Sequence, residues 1–151
     1  MHSLAIQQYR MLHDIYVLID DGDRRVLRRF SMSTSQYAVL MLLDTEQGRR
    51  LTDLSERLIF DKSTVTRLTD RLEQAQLVKR IADPADRRAQ RVVLTVLGLA
   101  QRNQASSAHK HSLERRLAVL DADEQRQLYA LLDKLRGGLQ ADLAVAEEQA
   151  A

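Results

Sequence analysis

Residues 51–95 read LTDLSERLIFDKSTVTRLTDRLEQAQLVKRIADPADRRAQRVVLT, and the spacing within this stretch decides the fold. Thr52 is positioned to cap the short run DLSERL, with Glu56 close by, and Asp61 or Ser63 to cap TVTRLTDRLEQA. Ile59, Phe60 and Asp61 form the joint between the two runs, which is a helix-turn-helix spacing. Two β-prone runs follow, LVKRIA (77–82) and QRVVLTV (90–96), on either side of a turn containing Pro84, which predicts a hairpin with a loop of several residues. Arg87, Arg88 and Arg91 crowd that turn. A cationic tip is costly to hold in water unless an anionic partner meets it.

On a helical wheel at about 100° per residue, Leu68 and Leu72 fall within about 60° of Val65 and define a buried face. Ser63, Arg67, Asp70, Arg71 and Gln74 then project away from the core, with Thr64 and Thr66 at the flanks. Hydroxyls and guanidinium groups at helix spacing suit phosphates and purine edges in a major groove. A protein-docking helix would instead carry aromatic or leucine anchors on that face, and none is present. A hairpin beside such a helix reaches an adjacent minor groove, where the potential is most negative. Asp86, two residues before Arg88, is placed to accept a charge-assisted bond from that guanidinium and hold it extended.

Outward from this centre the chain is helical. Residues 4–30 place Leu4, Met11, Ile15, Leu18, Ile19 and Val26 near a 3.6-residue period, which predicts one long helix, straight or kinked where Asp20 to Asp23 weaken the pattern. STSQYAVLMLLDTEQG (33–48) opens on Ser and Thr caps, has an apolar block too continuous for a surface helix, and closes at Gly48. After Gly98 a weakly periodic helix is followed by a last one, with Asp121 as N-cap and Glu124 three residues on. Gly137-Gly138 is expected to interrupt or end that last helix.

Composition supports the same picture. The 151 residues suffice for one domain with a core, and with one proline and six aromatics they suit packed helices better than a β-sandwich. Without cysteine, disulfides and thiolate chemistry are excluded. No apolar run approaches the roughly 18 residues of a membrane span and the opening residues lack a signal-peptide pattern, so a cytoplasmic protein with no membrane partner is expected. Net charge is +2, but residues 49–91 hold eleven Lys and Arg against seven Asp and Glu, whereas 114–151 hold five against eight. A polyanion should therefore meet the middle of the chain.

At these residues the sequence resembles the MarR family of bacterial transcription regulators. The matching elements are "LS" of the small helix, STVTRLTDRLE, the link "LV.R", the wing "DP.DRR" and the closing "LT..G", with STSQYAVLMLL before them and LDADEQRQLYALLDKL after. The resemblance covers nearly the whole chain. It implies a mainly α winged helix-turn-helix fold: six helices, a small antiparallel β-wing and an intertwined helical homodimer. It also implies one domain over 1–151, with 1–30 and 100–151 for dimerisation and 34–98 for DNA binding. Members bind pseudo-palindromic operators, commonly as repressors released by a small anionic aromatic ligand. Carried over by position, Arg88 resembles the minor-groove arginine and Asp86 its orienting partner. The expected DNA-binding set is Lys62, Ser63, Thr64, Thr66, Arg67, Arg71, Asp86, Arg87 and Arg88.

Tyr9, Tyr16, Tyr37 and Met41 are candidates to line an effector crevice, with Arg10 or His13 as counter-charge for a carboxylate, although packing is the commoner fate of such residues. His109 and His111 lie two apart on a helix and point about 200° from each other, so no metal site is expected. No nucleophile with a base and no glycine-rich phosphate loop appears, so neither an enzyme nor a cofactor is expected. Two alternatives stand beside the ligand-responsive repressor: a DNA-binding regulator without a small-molecule effector, and a helical interaction module whose basic hairpin docks on an acidic protein.

Overall fold

The computed structural model describes residues 3–86 and 88–150, the last five of these by backbone alone. The chain divides into two compact units, residues 1–112 and 113–151. In order, the elements are α1 (Leu4–Leu27), a 3-10 turn (Arg28–Phe30), α2 (Thr34–Met41), β1 (Arg49–Arg50), α3 (Leu51–Leu58), α4 (Lys62–Gln74), β2 (Val78–Ala82), β3 (Gln90–Leu94), α5 (Val96–Leu117) and α6 (Ala122–Ala150). Six helices and a small antiparallel sheet are thus what the sequence led one to expect.

The core of the first unit gathers one apolar stripe from each element around it. Leu27, Leu40, Leu54, Val65, Leu72 and Leu94 are all at most 1% exposed. Removing side chains of this size from water supplies about 1.5–3 kcal/mol each, the largest favourable term available to a small unit. Ser33 caps α2 in a reciprocal box with Gln36. α5 fastens to the region before β1 from its side chains: Gln101 Nε2 donates to Phe30 O at 2.8 Å and Arg102 Nη1 to Leu43 O at 2.8 Å.

Several expectations are corrected. α2 ends at Met41 rather than running to Gly48, because the Asp44 carboxylate accepts the backbone N–H groups of Glu46, Gln47 and Gly48 and turns the chain. Those bonds hold the Asp44 carboxyl below the usual carboxylate range. Gly48 itself sits at φ +61°, where a Cβ would lie 2.4 Å from Val92 O. α3 starts at Leu51 and is not capped by Thr52: Asp53 reaches back to accept the Arg50 N–H.

The hairpin was expected as two strands, but the sheet has three, in the order β1-β3-β2. β2 pairs with β3 from Val78↔Leu94 to Ala82↔Gln90, and the two-residue β1 pairs Arg49 with Val92 and Arg50 with Arg91. As expected, the first segment is one long helix, α1, continuous through Asp20 to Asp23, where ion pairs one turn apart, Asp20 with Arg24 and Asp21 with Arg25, offset the poor helix propensity.

In the second unit α6 begins on a capping box, Glu124 N–H to Asp121 Oδ1 at 2.9 Å and Asp121 N–H to Glu124 Oε2 at 2.8 Å. It then runs unbroken through Gly137-Gly138, contrary to expectation. Two glycines cost roughly 1 kcal/mol each in a helix, less than losing the long run of backbone bonds around them.

Candidate nucleic-acid interface

The interface is built on α4. Asp61 caps this helix, accepting the Thr64 N–H at 2.8 Å, and Val65, Leu68, Thr69 and Leu72 turn inward. Lys62, Ser63, Thr66, Arg67 and Arg71 are exposed on the other side, with Thr64 half-buried. The hydroxyls are not idle: Ser63 Oγ and Thr64 Oγ1 donate to the two Asp61 oxygens at 2.5 and 2.7 Å, and Thr66 Oγ1 donates to Lys62 O. The Ser63 hydroxyl, then the Thr64 hydroxyl and N–H, hold the Asp61 carboxyl far below its ordinary range. What α4 offers outward is therefore mainly cationic, with hydroxyl oxygens as acceptors. Arg67 adds a bond to Thr64 Oγ1 at 3.2 Å, so its head lies along the helix rather than free in solvent.

The wing lies on β2 and β3. At its tip Asp86 Oδ1 accepts the backbone N–H of Arg88 at 3.0 Å. The carboxylate thus fixes the main chain of Arg88 and not its guanidinium, a correction to the expected contact, because a two-residue separation favours this local turn. Arg88 is exposed, and Arg87 lies outside the described residues.

Two ion-pair sets fasten this wing to the helix-turn-helix. Arg80 on β2 bonds Asp70 of α4 at 2.6 Å and also Glu73 one turn on, so Asp70, expected on the outward face, is turned toward the wing. Asp83, fully buried by its side chain, accepts Arg50 Nε at 2.6 Å and Arg91 Nε at 2.8 Å on one oxygen. Its other oxygen accepts the N–H groups of Ala85 at 2.8 Å and Asp86 at 3.2 Å. Arg50 first, then Arg91, keep this carboxyl ionised far below the ordinary range, outweighing burial, which acts the other way. Sequence reasoning passed over Asp83. Its position at the end of a β-run, just before a proline, was the signal available, whereas its partner Arg50 is 33 residues away.

The candidate effector residues are not brought together within one chain. Tyr37 packs edge-on to His109, with ring centres 5.3 Å apart, and His109 Nε2 stands 3.0 Å from Asp23 Oδ1 without the alignment of a hydrogen bond. Tyr37 is therefore level with Asp23, whereas Tyr9 lies 14 residues back along α1, about 21 Å at 1.5 Å per residue, with Arg10 and His13 also on the remote side. Met41 is exposed. A cavity of about 350 Å³ opens instead between the end of α1 and the start of α2, lined by Arg24, Arg28, Ser31, Met32, Ser33 and Thr34. Among the described residues no cluster of His, Asp or Glu is able to hold a metal.

A short helix, a tight joint, an outward cationic helix and a latched hairpin define a winged helix-turn-helix. Residues 32–89 match the MarR family. The HTH-type transcriptional regulator PrsX of Escherichia coli is 30% identical over 118 residues, 77% of this chain and 70% of its own length. MhqR of Bacillus subtilis, another HTH-type transcriptional regulator, is 24% identical over 89% of this chain and 93% of its own. Among solved structures, a mutant MarR from E. coli complexed with operator DNA superposes with a TM-score of 0.78 at 26% identity, covering 89% of this chain and 99% of that one. The chain belongs to the MarR family of transcription regulators.

Proposed function

We propose that this protein is a sequence-specific repressor that binds a pseudo-palindromic operator as a homodimer, with Lys62, Ser63, Thr64, Thr66, Arg67 and Arg71 toward a major groove and Asp86, Arg87 and Arg88 at a minor groove. The observation that carries this reading is the fastening of the wing to α4 by Arg80 and to the start of α3 by Asp83, which sets the exposed cations of α4 and Arg88 on one body. The likeness to an operator-bound MarR supports it. An acidic-protein partner is disfavoured by the lack of large apolar side chains on the outward face of α4.

Dimerisation through residues 1–30 and 100–151 is supported by the apolar side chains left exposed on α1 and α6, among them Ile15, Leu18, Leu131, Leu139 and Leu143. Two copies related by a two-fold axis present two reading helices to half-sites about one helical turn apart. No described helix is long and apolar enough to cross a membrane, consistent with a cytoplasmic regulator.

Release by a small anion is supported by the cavity between α1 and α2, where Arg28 supplies a counter-charge in place of Arg10 and His13, while Arg24, also on the lining, is paired with Asp20. An aromatic carboxylate present at a hundred times its dissociation constant would add about 2.7 kcal/mol of stability, a shift visible in thermal melts.

The decisive experiment is a mobility-shift titration on the DNA flanking the protein's own coding region, comparing wild type with Arg88→Ala. The substitution should cost about 1–3 kcal/mol of binding. Equal affinity of the two proteins would remove the wing from the interface, and absence of any specific shift would return the acidic-protein reading.

A further inference from the structure

Arg50 and Asp83 belong to neither of the surfaces assigned to DNA, yet they stand at the start of a continuous chain of contacts that ends at the wing tip. Arg50 precedes α3 and grips Asp83 Oδ2 at 2.6 Å; Arg91 grips the same oxygen from β3. Asp83 Oδ1 holds the N–H of Asp86, and Asp86 Oδ1 holds the N–H of Arg88. Arg91 also donates to Gln47 O at 3.3 Å, on the loop leading into β1. The carboxylate is buried while Arg50 and Arg91 are 38% and 28% exposed, so two guanidinium groups that could face a polyanion are turned onto one acid. A hairpin tip held only by its turn would have several orientations relative to α3 and α4. Here the Asp83 side chain ties the tip to the base of the helix-turn-helix, beside the Arg80 pairs and the β1–β3 pairing that hold the strands below it.

Resting on the DNA-binding reading above, we propose that Asp83 is a positioning residue for sequence-selective binding: it sets the direction in which the wing presents Arg88 and withdraws Arg50 and Arg91 from general attraction to duplex. Opening this latch converts selective binding toward indiscriminate binding. The wing tip loses its fixed approach to the groove, while two freed guanidinium groups add sequence-independent attraction to phosphates. An acid whose only role was to stabilise the fold would, on removal, weaken both kinds of binding together.

The test uses the full-length protein and two duplexes of equal length: one enriched by the wild type from a random-sequence pool, and the unselected pool itself. Asp83→Asn should lower affinity for the enriched duplex on the order of ten-fold, a loss of the size of one groove contact, while affinity for the unselected pool stays level or rises. In an Arg88→Ala background the same substitution should cost the enriched duplex little more, because the contact it positions is already gone. Arg50→Gln, which cuts one leg of the latch from its exposed side, should show the same dependence on Arg88 and serves where the Asn variant does not fold. Parallel loss on both duplexes, or a loss that adds in full to that of Arg88→Ala, would overturn the proposal while leaving the DNA reading intact. A wild type that enriches no duplex would overturn the DNA reading and this inference with it.

Discussion

Ile59 forms the joint between α3 and α4 and sits in the left-handed region at φ 55°. A β-branched side chain in the left-handed region costs roughly 1–2 kcal/mol, and burial does not repay it, since Ile59 is 92% exposed. The turn is kept by its surroundings: Phe60 N–H donates to Ser55 O at 3.1 Å and Ser55 Oγ to Phe60 O at 2.5 Å. Ile59→Gly should therefore raise stability by about 1 kcal/mol. Urea unfolding checks this: a higher midpoint at unchanged slope is expected, and a lower one would mean that the strain account is mistaken. Gly98 poses the opposite constraint, since a Cβ there would stand 1.8 Å from Leu77 O, where α5 begins against the link between α4 and β2.

At the level of elements, the wing depends on an ionised acid, and the sign of its pH dependence follows. The folded-state pKa of Asp83 is depressed, so its contribution to stability is present above the unfolded value, near 3.8, and is lost as pH falls through the folded value. Thermal melts between about pH 6 and pH 3 should show a falling midpoint on the acid side for wild type. Asp83→Asn should start lower and fall less steeply; parallel curves would show that the acid limb belongs to other carboxyls, with Asp61 next in line. Elements whose signals are local were legible beforehand. The inward stripe of Val65, Leu68 and Leu72 and the two β-runs around Pro84 were read from spacing alone. The rest depends on partners distant in sequence. β1 is two residues long and exists because Val92 and Arg91 are there to pair with it, the end of α2 was set by Asp44 rather than by the more visible Gly48, and Asp83 gains its role from Arg50. Hydroxyls on α4 could be placed on a face, but not known to be engaged by Asp61.

For the molecule as a whole, the eleven cations between Arg49 and Arg91 overstate what a polyanion would meet, because Arg50, Arg80 and Arg91 are already held by carboxylates. With a contribution of about −0.9 per neutralised phosphate, the slope of log affinity against log salt should be no steeper than about −7 per subunit. Titrations at several salt concentrations check this, and a steeper slope would show that the latches open on DNA. The same sheet bears on how molecules behave toward one another when concentrated. β3 carries the apolar run Val92, Val93 and Leu94, the kind of segment that recruits a foreign strand if its flank is bare. Covering that flank with a two-residue strand of arginines, Arg49 and Arg50, leaves a charged, truncated border that resists edge-to-edge aggregation.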